Sequence, residues 1–416
     1  MADSERTGIW FIGARGSVAT TATIGLYAIR RGVAASTGLV TAGADFVGVD
    51  LPSLDSLVVG GHDVSGLPLQ ARAQVIVDGG MVSAAIVAQV ADELALTEQD
   101  LRPGYSVTSD ETQQDAAERL RGDIVDFRER HGLARVVVVD VASTEPLVDD
   151  VPEFHDAELL GTALADPTRR VLPPSSLAAY AAILAGSPYV GFTPSSGMSL
   201  PVLVELATRA GLPIAGQDGK TGETLLRTAL APMFRARGMR VLSWAGANLL
   251  GGGDGATLAD PEAVRSKLAS KNRGLHELLG DDVVTPLHID NVPDLGDVKT
   301  AWDNVHVEGF LGSRLTLQTT WTAYDSSLAA PLVLDLVRLL SLAHIAGTGG
   351  PVAAMGFFFK DPWGSDVHDF GEQTRALVDW AHTTSDAVAA AAPVGDAPAE
   401  AAPTEAAPTE YAASRV

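Results

Sequence analysis

Five of the chain's 29 basic residues are lysine and the other 24 are arginine. All five, Lys220, Lys267, Lys271, Lys299 and Lys360, fall between positions 220 and 360. Arginine keeps its proton at any working pH, whereas a lysine that is buried or crowded by cations can lose one. Lysine confined to one region therefore points to lysine chemistry: moving protons, polarising a carbonyl or holding an anion. Lys267 and Lys271 stand four apart in R-S-K-L-A-S-K (265–271), on one helix face, where like charges depress each other's pKa. Lys360 ends the aromatic run G-F-F-F-K-D-P-W, and Lys299 follows Asp297 in G-D-V-K. His62 in G-G-H-D and His288 near Asp290 are the histidine candidates.

Four further segments carry small or polar residues where a ligand would need them. In G-A-R-G-S-V-A (13–19), Gly13, Ala14, Arg15, Gly16, Ser17 and Val18 follow an apolar run and open a helical stretch. Small residues there let the backbone approach a diphosphate, and the helix N-terminus favours its charge. Arg15 stands where a second glycine is common, and Ala19 replaces the last. The acid for the adenosine ribose is not obvious; Asp45 is the candidate. A-S-T-E-P (142–146) ends a strand, so Ala142, Ser143, Thr144 and Glu145 could line a cofactor cleft or form a polar loop with a cap. G-Q-D-G-K-T-G-E-T (216–224) lacks the P-loop spacing. Its Asp218 and Lys220 are charge partners for cofactor or substrate, or belong to a capped helix start. N-L-L-G-G-G-D-G (248–255) sets Asn248 and Asp254 around three glycines, for close backbone approach or plain flexibility.

The elements that must position these residues alternate. GIWFIG (8–13) and RVVVV within 134–141 read as strands covered on both faces. Helical stretches at 18–31, 111–131, 199–211 and 222–237 and strands at 212–216 and 239–244 continue the series. RLTLQTTW (314–321) alternates apolar and polar residues as a strand with one covered face does, with 301–310 as its partner. The segment 326–346 is helical, with Pro331 near its first turn. The expected fold is α/β: a Rossmann-like doubly wound parallel sheet with an inserted α+β catalytic and oligomerisation domain. The expected division is 1–224 plus 326–385 for the cofactor domain and 225–325 for the insert. The Ala/Pro-rich piece 387–416 is expected to be a disordered tail.

Composition removes several classes. There is no cysteine, which excludes disulfides and thiolate chemistry, and no metal site is expected. The net charge of −23 argues against nucleic acid, whose binding needs a basic face. No apolar signal core follows the start and no run reads as a membrane span, so a soluble cytoplasmic protein is expected.

Together these segments resemble the myo-inositol-1-phosphate synthase (inositol-3-phosphate synthase) family over about residues 8–365. G-A-R-G-S-V-A is similar to its G-x-G-G-x-x-G, L-V-V-G-G-H-D-V (57–64) to G-G-W-D-I with His62 for tryptophan, and A-S-T-E-P to A-N-T-E. G-Q-D-G-K-T-G-E-T resembles G-D-D-x-K-S-G-Q-T, and N-L-L-G-G-G-D-G resembles N-H-L-G-N-N-D-G. R-S-K-L-A-S-K resembles R-S-K-E-I-S-K, and D-S-S-L-A-A-P-L-V-L-D-L (325–336) resembles E-D-S-L-L-A-x-P-x-x-x-D-L. The resemblance implies an isomerase that turns glucose 6-phosphate into inositol phosphate with regenerated NAD, as a homotetramer. By carry-over, Lys267, Lys271 and Lys360 are the catalytic and phosphate-binding lysines. Asp325 and Asp254 serve cofactor and proton relay, and Lys220 lies towards the nicotinamide. One departure stands out. The family's I-K-Y-x-x-x-x-G-D reads H-I-D-N-V-P-D-L-G-D (288–297) here, which puts Asp290 in a lysine's place. An anion there would alter substrate handling, with His288 or Lys299 compensating, or with another hexose phosphate such as fructose 6-phosphate as substrate. A simple NAD-dependent sugar-phosphate dehydrogenase and a non-catalytic NAD sensor are the remaining alternatives.

Overall fold

The computed structural model describes residues 5–251 and 274–391. Eleven strands are assigned among them: β1 (Thr7–Ile12), β2 (Leu57–Asp63), β3 (Leu101–Pro103), β4 (Arg135–Asp140), β5 (Tyr189–Gly191), β6 (Pro213–Gly216), β7 (Arg240–Leu250), β8 (Leu287–Asn291), β9 (Val298–Glu308), β10 (Arg314–Tyr324) and β11 (Gly350–Pro351). Seven form one sheet in the order β11-β6-β5-β4-β1-β2-β3, every pair parallel. The strand order reverses at β1, so the crevice beyond the carboxyl ends of β1 and β4 is where a ligand of such a sheet binds.

The residues of β1 and β4 explain the double covering. Ile9, Phe11, Val137 and Val139 point to one side and join the apolar faces of the helices Ser17–Arg30 and Asp325–Ile345. Trp10, Val136 and Val138 point to the other and meet the helices Gln113–Arg130 and Pro174–Leu184. Consecutive residues face opposite ways, so a strand sandwiched between helix layers must be apolar at every position. The helix Asp325–Ile345 has the length and a mean hydropathy (1.7) that would suit a membrane span. Here Val333, Leu336, Val337, Leu339 and Leu340 are wholly buried, which makes it the central core helix. Its Asp335 accepts the N–H groups of Val40 and Thr41 and so fixes the 39–46 turns against this helix.

A second sheet has the order β10-β9-β7-β8, antiparallel except for the pair β7–β8. Its inner face (Val241, Trp244, Val305, Val307) packs on Ala231 and Phe234 of the helix Glu223–Ala236. Three local expectations change. The strand that begins near 239 pairs in this second sheet, and its alternating burial sets it apart from the fully covered β1 and β4. Pro331 lies in the second helical turn, since the helix already starts at Asp325. The last helix, Phe370–Ala391, carries regular structure past position 387.

Candidate active site

The crevice at the switch point is a cavity of about 690 Å³ whose wall brings together the glycine turn after β1, the end of β4, the 216–222 loop, the start of β9, Asp325 and Lys360. Gly13 has φ +83°, and a Cβ there would lie 2.8 Å from the Ala142 Cα, so only glycine lets the turn pass the end of β4. Gly16 offers no side-chain cap to the helix Ser17–Arg30, whose first N–H groups are left to an anion. Gly13, Arg15, Gly16, Ser17, Val18, Ala142, Ser143 and Thr144 all line the cavity, with Ala14 buried behind them. This cradle fits a dinucleotide diphosphate. Asp45 is exposed and away from the wall, whereas Asp63, at the end of β2, lies on it and accepts the Arg15 N–H at 2.6 Å. Asp63, not Asp45, is thus the acid that the cavity wall presents at the end of β2. The sequence hid it because a long segment, 32–56, separates the first helix from β2.

His62 braces this half. Its carbonyl accepts the N–H groups of Gly13 and Ala14, its Nδ1 accepts the Trp10 indole N–H at 2.9 Å, and its Nε2 meets Asp123 at 3.0 Å. Burial pushes its pKa down, so the ring is neutral with the proton on Nε2. Glu145 also lines the cavity. Its carboxyl accepts the N–H of Ser175 at 2.9 Å and the Ser175 hydroxyl, and burial raises its pKa to about 7.

The opposite half holds two lysine–aspartate pairs. Lys360 Nζ donates to Asp218 Oδ1 at 2.8 Å, with both side chains under 10% exposed. Backbone bonds fix this pair: the Lys360 N–H reaches the Asp218 carbonyl at 2.8 Å. Asp218 sits at φ +63°, a left-handed conformation that aspartate tolerates better than most residues. Lys299 Nζ lies 3.3 Å from Asp325 Oδ2, and the Thr221 hydroxyl donates to Asp325 Oδ1 at 2.9 Å. These five side chains come from four separate segments, Asp218 and Thr221 sharing the 216–222 loop, yet all line one cavity with Gly13.

Other candidates lie elsewhere. Lys220 is 4% exposed and turned behind the loop, where Nζ donates to the Gln373 side chain and lies 5.8 Å from the Phe370 ring centre. Burial lowers its pKa to about 7. Asn248 is fully buried on β7 and donates to Glu223 at 2.7 Å, inside a polar cluster of Glu223, Arg227, Asp303 and Trp244. Asp290 and His288 are exposed on β8, an edge strand, and neither lines the cavity. The cation near this stretch is Lys299, at the start of β9 opposite Leu250. Lys267, Lys271 and Asp254 lie outside the described residues. Among the described residues no cluster of three or more metal-ligating side chains occurs.

Residues 7–382 match the model of the myo-inositol-1-phosphate synthase family. The chain is 32% identical over 404 residues to inositol-3-phosphate synthase 1 of Bacteroides thetaiotaomicron, covering 88% of this chain and 91% of that one. It is 30% identical to the inositol-3-phosphate synthase of Trypanosoma brucei brucei, over 82% of this chain and 73% of that one. The crystal structure of inositol-3-phosphate synthase from Caenorhabditis elegans superposes with a TM-score of 0.80 at 22% identity, over 92% of this chain and 86% of that one. A glycine cradle for NAD facing paired lysines, with this extent of likeness, makes the chain a member of the myo-inositol-1-phosphate synthase family.

Proposed function

We propose that the chain is an NAD-dependent isomerase that converts glucose 6-phosphate to inositol 1(3)-phosphate. The observation that carries the reading is the convergence of Lys360–Asp218 and Lys299–Asp325 on the cavity that holds the Gly13 turn. When bound, NAD would supply reversible hydride acceptance at the sugar. Gly13, Gly16 and the first turn of the helix Ser17–Arg30 hold its diphosphate, and Asp63 its adenosine ribose. Lys360 and Lys299 present ammonium groups where a carbonyl oxygen gains charge during enolisation and aldol closure. Donors fixed in place in this way stabilise charge that develops on such an oxygen. Asp218 and Asp325 aim these ammonium groups, and each pair can give up a proton and take it back. The roles of Lys267 and Lys271 in phosphate holding, and of Asp254 in proton relay, rest on the motif resemblance.

The division into a cofactor part (1–224 plus 326–385) and a central part (225–325) is proposed on the strand membership of the two sheets. Homotetramer assembly is proposed on the outer face of the second sheet, where Trp302 is 41% exposed, and on the β9–β10 tip, where Phe310 and Leu311 are more than 85% exposed. A cytoplasmic site of action is part of the same proposal. Purified protein given NAD and glucose 6-phosphate should yield a cyclic phosphate by NMR with no net gain in NADH absorbance. NADH rising in step with product would mark a dehydrogenase instead, and a cyclic product from fructose 6-phosphate alone would mark a different cyclase.

A further inference from the structure

The adenosine end of the cavity holds both kinds of group that decide between NAD and NADP. An acid at the end of the second strand accepts the ribose hydroxyls, whereas a neighbouring arginine accommodates a 2′-phosphate. Asp63 is the acid. Its Oδ2 accepts the Arg15 N–H and its Oδ1 the Ser65 N–H at 2.7 Å, and each oxygen has lone-pair capacity left for a hydroxyl. Arg15 and Arg72 line the same wall, and Arg72 Nε donates to the Arg15 carbonyl at 2.8 Å. Arg15 is not free to turn to a phosphate. Its Nη2 is held at 2.5 Å by Glu98 Oε1, while Glu98 Oε2 accepts the Leu69 N–H at 2.7 Å, at the start of the helix Leu69–Asp78. Among the described residues the buried Arg15 Nε has no acceptor. Glu98 itself does not line the cavity.

We propose that Glu98 is a positioning residue for cofactor choice. By clamping and neutralising Arg15 it keeps the adenosine end selective for NAD. Its removal uncovers a latent 2′-phosphate site formed by Arg15 and Arg72. The clamp acts only through Arg15, so it changes the preference between the two cofactors rather than dinucleotide binding as such.

The test is titration of the whole protein with NAD and with NADP, followed by tryptophan fluorescence or calorimetry, which read binding without turnover. In Glu98→Gln, NADP affinity should rise about tenfold, the size of one charge-assisted hydrogen bond gained. NAD affinity should stay within about threefold, since its contacts are kept. Glu98→Asp should keep the wild-type ratio. The double variant Glu98→Gln/Arg15→Gln, which strands neither partner, should lose the NADP gain and carries the test if the single variant does not fold. An unchanged NADP-to-NAD ratio in Glu98→Gln, an equal loss of both affinities, or a gain that survives in the double variant would overturn the inference. Absence of NAD binding by the wild-type protein would instead overturn the cofactor reading beneath it.

Discussion

Arg227→Met tests how the second sheet is held against the helix Glu223–Ala236. Arg227 Nη2 lies 2.5 Å from Glu223 Oε1 and 3.0 Å from Asp303 Oδ1, and all three side chains are at most 3% exposed. Trp244 and Asn248 complete the cluster, and Gly246 lacks a Cβ that would lie 2.7 Å from Arg227 Nη2. Removing the cation leaves two buried carboxylates facing the same gap. Breaking a buried pair from one side costs about 3–5 kcal/mol. In a chain of this size that is a fall in Tm of about 3–6 °C. The pH dependence has a definite sign. Burial already raises the Asp303 pKa, while Arg227 lowers it and Glu223 raises it, so losing Arg227 raises it further. A folded-state pKa above the unfolded value gives stability that is present below the unfolded pKa and lost as pH rises through the folded one. The deficit of the variant should therefore be smaller near pH 5 than near pH 8. Denaturant midpoints of both proteins across that range measure it. A deficit below about 1 kcal/mol, or one that does not change with pH, would refute the reasoning. Asp303 lies four residues from Lys299 on β9, so the variant should also lose turnover beyond its loss of folded protein.

Three further outcomes are expected. Lys299→Met should lower kcat by about 10²–10³, the scale of one lost oxyanion donor, with NAD affinity unchanged in a direct titration; full turnover would remove Lys299 from the mechanism. Gly13→Ala must place a side chain at φ +83° against Ala142, and an NAD titration should show its affinity reduced by at least tenfold from a strain of about 1–2 kcal/mol plus the backbone clash. Glu145, raised by burial to about 7, contributes stability that is lost as pH climbs through that value. Glu145→Gln should thus gain on the wild type between the ordinary glutamate range and neutrality, read as urea midpoints against pH.

The parts of this molecule that could be read from sequence are those where one physical demand fixes every residue. A strand covered on both faces must be apolar throughout, and β1 and β4 are recognisable for that reason. A turn that meets a phosphate must be small, and Gly13 and Gly16 announce it. Where partners decide, local sequence was silent. VLSWAGANLL suits either sheet, and only the pairing of β7 with β8 and β9 settles its place. Scarcity singled out Lys220 and Lys299 equally, but one turns towards Gln373 and the other into the cavity. The charge change at Asp290 drew attention along the chain. The edge position of β8 separates it from the site, a fact of tertiary pairing that no spacing encodes.

The cavity's charges also limit what its lysines can do. The described wall carries four cations, Arg15, Arg72, Lys299 and Lys360, against five carboxylates, Asp63, Glu145, Asp218, Asp297 and Asp325. Lys299 and Lys360 are each matched by an aspartate, and Arg15 by Glu98 behind the wall. Within a chain of net charge −23, such a wall does not by itself attract a sugar phosphate. An ammonium held by its own carboxylate is well suited to share a proton or to meet an oxygen that becomes negative for a moment, and poorly suited to neutralise a permanent dianion. Under the proposed function this division of labour gives the transient charges of the reaction to Lys299 and Lys360. On the same proposal the lasting charge of the phosphate is left to the remaining lysines of the 220–360 stretch, among which Lys267 and Lys271 stand paired in sequence without an intervening acid.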